Sequence, residues 1–384
     1  MIAYKRYVTD PRGRREAEAL TSRGDSVDFI CLREVGEKPF EIINGVNVYR
    51  LPQGHYRGDN KIAYLISYLI FFVHSFMRLT RLFLQKYYDV IHINTMPDFI
   101  VFVALIPKIW GKKIILDIYD TVPELYMSKF KLARSHGFVR LLRSVEVISA
   151  EFADIVIAVH HPHRELLIEH GIPKDKIRVL LNLSDENIFY PVRRNDPARK
   201  DEFNIVFHGT ITERIALDTV LEAVKMLRDR ISNLKLFIYG EGDYLADIIE
   251  LSQRLGLDAI VFFSKKFVPI DRMPTLLMKS DLAVVPHKND SATKYMLPTK
   301  LLEYVALGIP CVVAKSQTIS CYFDDSAVRF YEPENAADLA NVIWDLYRHP
   351  EKRGELVKNA DKFNKVYNWK SHKQVYYDII DSLC

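Results

Sequence analysis

Short runs of branched and aromatic residues alternate along the chain with longer segments whose apolar positions recur every three or four residues. Residues 27–32, 46–51, 88–94, 113–119 and 153–159 are apolar enough to read as strands buried on both faces. Helical patterns over 12–23, 60–86 and 98–110 separate them, the first closed by Gly24 and the third by Gly111. The same alternation resumes with strands at 203–210, 234–239, 259–264, 281–286 and 311–314. Between and after these, helices are expected at 216–230, 243–255, 271–279, 298–307 and 336–347. Strand–helix–strand repetition predicts parallel, doubly wound sheets, an α/β fold. The opening Met-Ile-Ala-Tyr-Lys-Arg leaves room for a very short first strand, as if a few strand residues were missing.

The polar, proline-containing segment 183–201, with its charged run from Arg193 to Arg199, reads as a linker. It divides the chain into a first domain over 1–184, a second over 185–365 and a last helical segment over 366–384. One stretch, 62–77, stands out as Ile-, Leu-, Tyr- and Phe-rich, followed by Arg78, Arg81 and Lys86. Sixteen residues fall short of the roughly 18–20 that a spanning helix needs. A helix lying at a membrane surface and a core helix of the first domain both fit the pattern.

The candidate chemistry gathers where expected strands end. Residues 297–310, Leu-Pro-Thr-Lys-Leu-Leu-Glu-Tyr-Val-Ala-Leu-Gly-Ile-Pro, run from a loop through a helix start at Pro298 and Thr299 to a helix stop at Gly308. Strand ends that feed a helix N-terminus are where open α/β sheets take phosphate-bearing ligands. Glu303 shares a helix face with Thr299 and Lys300, so a carboxylate could accept ribose hydroxyls beside bound phosphates. A solvated Glu303 on an ordinary amphipathic helix fits the same letters.

Composition narrows the classes. The 384 residues are 49% hydrophobic and 27% charged with a net charge of +4, enough for two sizeable cores. The basic excess suits an anionic ligand or membrane surface and is too small to argue for nucleic acid. The four cysteines are scattered, which fits a reduced cytosolic protein, and no secretory signal is visible. His160-His161-Pro162-His163 looks metal-binding but lacks partner ligands at a supporting spacing; it reads as the loop before a helix, and no metal is expected.

The segment Pro-Thr-Lys-Leu-Leu-Glu-Tyr-Val-Ala-Leu-Gly-Ile-Pro-Cys-Val-Val resembles the C-terminal donor motif of glycosyltransferase family 4, in the branch with a Pro-x-Lys triplet before Glu-Tyr. That resemblance implies a retaining GT-B enzyme: two Rossmann-like doubly wound domains facing a central cleft, with the last helix crossing back to the first domain. It implies a nucleoside-diphosphate sugar as co-substrate and no other cofactor. The donor set implied is Gly209, Thr210 and Arg214 after the 203–210 strand, Gly240 and Glu241 in the next Gly-x-Gly turn, Lys266, and Thr299, Lys300 and Glu303. Arg214, able to fork onto a diphosphate, is the principal catalytic candidate, with Asp120 and His92 on the first domain. Asp10, Arg12 and Arg15 resemble the family's Asp-x-Arg-x-x-Arg-Glu-Ala loop and, with Asp290, are assigned to the acceptor side or cleft. Asp10 with Pro11 also reads as a helix cap and first turn.

The chain departs from the family pattern in places. Tyr295 stands where an acidic pair would have its first Glu, Tyr119 where a donor-sugar His is usual, Ala216 where a Gly is usual and Ile215 in place of a second basic residue. The expected activity is transfer of a sugar to a hydroxyl of a glycan or lipid-linked acceptor in bacterial surface polysaccharide synthesis. It is placed in the cytoplasm, with peripheral contact at the inner face of the membrane. A non-catalytic partner subunit and a GT-B nucleotide-sugar epimerase remain alternatives. A Rossmann oxidoreductase does not fit, because no Gly-x-Gly-x-x-Gly follows a first strand.

Overall fold

The computed structural model describes residues 1–56, 61–190, 202–264 and 268–384. The chain divides into two compact units, Met1–Asn182 with Lys370–Cys384, and Leu183–Trp369. Of the segment read as a linker, residues 191–201 lie outside the described part, as do Lys265 and Lys266.

Unit 1 is built from β1 (Ile2–Ala3), α1 (Pro11–Arg23), β2 (Asp28–Leu32), β3 (Phe40–Ile43), β4 (Val46–Leu51), α2 (Lys61–Gln85), β5 (Val90–Asn94), α3 (Leu105–Ile109), β6 (Lys113–Ile118), α4 (Val122–Phe130), α5 (Gly137–Phe152), β7 (Ile155–Ala158), α6 (His161–Glu169) and β8 (Ile177–Val179). The eight strands form one sheet in the order β3-β4-β2-β1-β5-β6-β7-β8. All neighbours are parallel except β3, which folds back on β4. The expected helix over 98–110 splits into a 3-10 segment, Asp98–Ala104, and the short α3.

The β3–β4 hairpin was not expected, although its signal is present. Asn44 and Gly45 take φ of 50° and 83°, the double positive φ that an Asn-Gly hairpin turn supplies. The sheet core is lined by Ile93, Leu116 and Val156, against Phe71, Leu79 and Leu82 of α2 and Ile100 to Ala104. The chain's last helix, Trp369–Asp381, lies along α1. Tyr377 Oη donates to the Ala19 carbonyl at 2.8 Å, and Arg23 pairs with Asp381 at 2.8 Å.

α2 is neither wholly core nor wholly surface. At 25 residues it is longer than the 62–77 stretch suggested. It is long and apolar enough to cross a bilayer, yet Phe71 and Ser75 are fully buried on the unit 1 core. On the other side Ile62, Leu65, Ile66, Leu69, Val73 and Met77 are exposed.

Unit 2 contains β9 (Phe203–His208), α7 (Leu217–Leu227), β10 (Leu234–Tyr239), α8 (Leu245–Arg254), β11 (Val261–Phe263), α9 (Met273–Leu277), β12 (Leu282–Val285), α10 (Thr299–Ala306), β13 (Cys311–Ala314), α11 (Gln317–Ser320), β14 (Arg329–Tyr331), α12 (Ala336–Arg348) and α13 (Pro350–Val366). Its sheet runs β11-β10-β9-β12-β13-β14, with every pair parallel. In each unit the chain winds outward from a central strand, then returns to that strand's other side. The reversal falls between β1 and β5 in unit 1 and between β9 and β12 in unit 2. At such switch points the connecting loops diverge and leave a crevice beyond the carboxyl ends of the strands.

Unit 1 also buries an ionic cluster. His170 sits between Glu124, at 3.2 Å, and Glu146, which bonds its Nδ1. Burial alone would lower the imidazole's pKa, but the two carboxylates raise it to about 9. A raised folded value means the charged histidine contributes stability below its unfolded pKa of about 6.5, and that contribution is lost as pH rises through about 9. We therefore expect His170→Gln to be clearly less stable than wild type at pH 6. The gap in melting temperature should narrow steadily toward pH 9.5, as read by circular dichroism melts; a gap independent of pH would contradict the assignment.

Candidate functional site

The unit 2 crevice is assembled from three loops. After β9 comes His208-Gly209; after β10, Gly240-Glu241-Gly242; after β12, the loop that leads into α10. The first two run side by side, with Gly209 N–H donating to the Tyr239 carbonyl and Ile211 N–H to the Glu241 carbonyl, both at 2.9 Å. A Cβ on Gly240 would stand 1.9 Å from the Gly209 oxygen, and one on Gly242 1.9 Å from the Ile211 oxygen. The Gly-x-Gly turn is therefore required by backbone-to-backbone packing. Glu241 and Thr210 point into solvent.

α10 brings three side chains to the end of β9. Tyr304, fully buried, accepts the His208 backbone N–H at 2.9 Å, and its ring meets the imidazole edge-on. Glu303 Oε2 pairs with His208 Nε2 at 2.5 Å. The adjacent Glu and Tyr of the motif thus both engage one residue, which fixes the helix start against the strand end. One turn earlier, Lys300 lays its ammonium 4.0 Å from the centre of the Phe207 ring. Its tip stands 3.0 Å from where a Cβ of Gly209 would project, and Gly209 has φ of 117°, so both space and backbone call for glycine.

Arg214 is half-buried on the 3-10 turn Glu213–Ile215. Glu213 is taken by Lys288 at 2.8 Å, and Arg214 Nε is buried with no hydrogen-bond partner among the described residues. Arg214 and Glu303 act on Lys300 from opposite directions. Burial, reinforced by the Arg214 charge and opposed by Glu303, lowers the lysine pKa to about 7. Thr299 is exposed at the helix start, where Pro298 offers no side-chain cap to the first N–H groups. Ala216 adopts the left-handed conformation, φ 52°, so the backbone keeps the shape of the Gly usual there although the residue is Ala.

Asp290 does not serve as a free acid. Its Oδ1 accepts the Ala292 and Thr293 N–H groups at 2.9 Å, capping the following turn. That employment argues against its reading as a cleft carboxylate. Lys266 lies outside the described residues.

In unit 1 the expected residues converge, but in other roles. Arg12 Nε and Nη2 form a two-pronged pair with Asp117 at 2.9 and 3.2 Å, Nη1 donates to the Leu180 carbonyl at 3.0 Å, and Nε lies 3.1 Å from Glu16. The guanidinium is spent inside the protein, so Arg12 is corrected from a ligand-facing cation to a structural one. Arg15 is buried as well and forms no solvated basic face. His92 is buried, bonded through Nδ1 to Tyr376 Oη at 2.8 Å, with Nε2 3.7 Å from Asp117. Burial lowers its pKa, and its Nε2 has no hydrogen-bond partner among the described residues. Asp120 is exposed just past β6. Burial pushes the Glu16 pKa up to about 8, against the pull of Arg12.

Glu16, His92 and Asp117 bring ligand-type atoms within 4.8 Å of one another. Arg12 already supplies the positive charge there, bonding two of the three. His160, from the histidine run, accepts the His163 N–H at 3.0 Å and caps α6. Asp10, expected to cap α1, makes no capping bond.

Two family models cover most of the chain: "Glycosyl transferase 4-like domain" over residues 11–182 and "Glycosyl transferases group 1" over 191–363. The chain belongs to the family 4-like glycosyltransferases. Relatives include chitobiosyldiphosphodolichol beta-mannosyltransferase of Debaryomyces hansenii, 21% identical over 86% of this chain and 74% of that protein. Another is the putative colanic acid biosynthesis glycosyl transferase WcaI of Escherichia coli K12, 26% identical over 54% of this chain and 53% of that one. Among solved structures, the sucrose-phosphate synthase of Thermosynechococcus elongatus matches with a TM-score of 0.77 and 20% identity over 99% of both chains. Anabaena HepE, solved with UDP, gives 0.71 and 15% over 99% of both. At these identities the structural matches establish the GT-B fold of this transferase.

Reading residues in order did not expose His208 as the anchor of Glu303, nor Asn94, Asp117 and Tyr376 as neighbours of the α1 start. A polar residue closing each apolar run was the available signal. Loop apposition gives a direct check: Gly240→Ala should cost about 1–3 kcal/mol of unit 2 stability, the usual range for forcing atoms into packed space. Urea unfolding followed by tryptophan fluorescence measures it, and a cost near zero would mean the loops are not so closely packed.

Proposed function

We propose that this glycosyltransferase moves a sugar from a nucleoside-diphosphate donor, held by unit 2, to a hydroxyl of a glycan or lipid-linked acceptor held by unit 1. The observation that carries the reading is Glu303 held on His208 and Lys300 laid across Gly209 at the start of α10, on the β9/β12 switch point. In this reading the ribose hydroxyls bond Glu303, which His208 holds in place, and the diphosphate lies by the α10 start with Lys300 and Arg214. Negative charge grows on the leaving diphosphate, so cations already in position stabilise the transition state more than the ground state. Retention of anomeric configuration follows from the family resemblance. HepE structures with UDP and with UDP-glucose support a nucleotide-sugar donor, and WcaI and the lipopolysaccharide enzyme WaaG support a role in bacterial surface polysaccharide assembly.

A panel of UDP-, GDP-, ADP- and CMP-sugars tests the donor, because a ligand of the native state raises the melting temperature. Lys300 makes the test specific. Its ammonium is mostly deprotonated at pH 8, and a bound diphosphate raises its pKa. Donor binding at pH 8 should therefore take up protons, seen by titration calorimetry in buffers of different ionisation enthalpy. Uptake should vanish in Lys300→Met, and Arg214→Ala should lower turnover by at least ~100-fold, as loss of one transition-state donor does. Uptake unchanged in Lys300→Met, or near-normal turnover in Arg214→Ala, would remove that residue from the mechanism. Isomerised donor sugar without acceptor would indicate an epimerase instead.

Unit 1 meets the membrane surface in this reading. The exposed face of α2 runs on to Ile109 and Trp110, the latter packed on Phe83, with the exposed Arg81 and Lys113 at its edge. An apolar face with a tryptophan and a basic rim suits anionic lipid headgroups. Because Phe71 is fully buried, a substitution there reports on folding. Ile66, Leu69 and Val73 are the informative positions. Changing these three to Ser should abolish sedimentation with phosphatidylglycerol vesicles and leave the melting temperature within a few degrees. Undiminished binding would exclude this face.

A further inference from the structure

We infer that Asp10 and Asn94, at the switch point of the unit 1 sheet, form a recognition site for adjacent hydroxyls of a sugar. The two residues follow the two strands between which the chain reverses: Asp10 closes the loop after β1, and Asn94 ends β5, where it pairs with Ala3. Both are almost completely buried, at 1% exposure. Neither oxygen of the Asp10 carboxylate and neither polar atom of the Asn94 amide has a hydrogen-bond partner among the described residues. Lys5 Nζ is the nearest cation, 3.8 Å from Asp10 Oδ1 and too far to hydrogen-bond. Burying such groups unpaired costs about 1–3 kcal/mol each, and more for a charged one, a cost that a bound ligand would relieve.

The local backbone is shaped around this pair. Gly13, in the first turn of α1, carries no side chain between them. A Cβ there would lie 2.6 Å from Asp10 Oδ2 and 2.8 Å from Asn94 Nδ2, so only glycine lets both groups approach the α1 backbone. Tyr119 adds a buried hydroxyl without a partner, held above its ordinary pKa by burial and then by the Asp10 charge.

The donor–acceptor pattern selects the ligand. A carboxylate only accepts, an amide does both, and a phenol can do either. Vicinal hydroxyls, each able to donate and accept, satisfy all three. A phosphate would meet the Asp10 carboxylate, to which no protein group donates a hydrogen bond among the described residues, and be repelled. The guanidinium of Arg12 is committed to Asp117 and Glu16. The inference deepens the sugar-transfer reading and rests on it for the choice of a sugar over another polyol. Donor sugar and acceptor sugar present the same hydroxyl chemistry.

Saturation-transfer NMR on the full chain, with methyl α-D-glucopyranoside and methyl α-D-mannopyranoside as probes, tests the site. Wild type should saturate the ring protons of at least one glycoside. Asp10→Asn, Asn94→Leu and Gly13→Ala should each weaken binding at least about tenfold, the loss expected of a charged or buried hydrogen bond. Circular dichroism melts check that each variant is folded. Asp10→Asn should hold or raise the melting temperature, because no protein donor among the described residues hydrogen-bonds this buried carboxylate and Lys5 reaches it only at 3.8 Å; a lowered value would mean the protein itself uses the carboxylate and would overturn the site. Displacement of the glycoside by UDP-glucose or GDP-mannose identifies the donor sugar as the natural source, and undisturbed binding identifies the acceptor. No saturation in wild type, or full binding by Asp10→Asn, would also overturn the site. Either result leaves the donor reading intact where nucleotide-sugars raise the melting temperature. Glycoside binding with no nucleotide effect would instead contradict the donor reading alone.

Discussion

The contact between His208 and Glu303 organises unit 2. It ties the last residue of β9 to the second turn of α10, across the one place where the sheet order reverses. Tyr304 repeats the tie on the backbone of the same histidine. With helix and strand end tied together, the Lys300 side chain lies across Gly209 and over the Phe207 ring. Burial, opposed by Glu303 and reinforced by the Arg214 charge, lowers the lysine pKa to about 7.

Unit 1 solves a different problem at the equivalent place. Four charged or polar side chains around the start of α1 are buried, and their balance depends on Arg12, whose three nitrogens reach Asp117, Glu16 and the Leu180 carbonyl. Tyr376 holds His92 through Nδ1, with the imidazole's Nε2 3.7 Å from Asp117. Paired buried charges of this kind are costly to break because the survivor is left uncompensated. Arg12 is fully engaged in that network, whereas both Glu16 carboxylate oxygens and His92 Nε2, like Asp10 and Asn94 beside them, have no hydrogen-bond partner among the described residues.

Much of the fold was legible because parallel strands buried on both faces appear as unbroken apolar runs, and Gly24 and Gly308 mark helix ends by left-handed geometry. The edge strand β3 was missed because Phe40 and Ile42 face solvent and break the core pattern, although Asn44-Gly45 announced a hairpin. At the candidate site, the spacing of Lys300 and Glu303 on one helix face was readable. What lies opposite them was not, since His208 is 95 positions away and only sheet order brings it near. Arg12 and Asp290 were misread for one reason. A charged residue at a helix start or in a loop looks solvent-facing in one dimension, and only packing reveals whether its charge is already used.

In the proposed reading unit 2 holds a nucleoside diphosphate between the α10 start and the β9 loop. A crystal structure with the nucleotide that most raises the melting temperature should show ribose hydroxyls on Glu303, with His208 still bonded to it, and diphosphate oxygens within hydrogen-bond reach of Lys300 and Arg214. A nucleotide bound elsewhere, or bound here with Glu303 and Lys300 turned away from it, would rule this reading out.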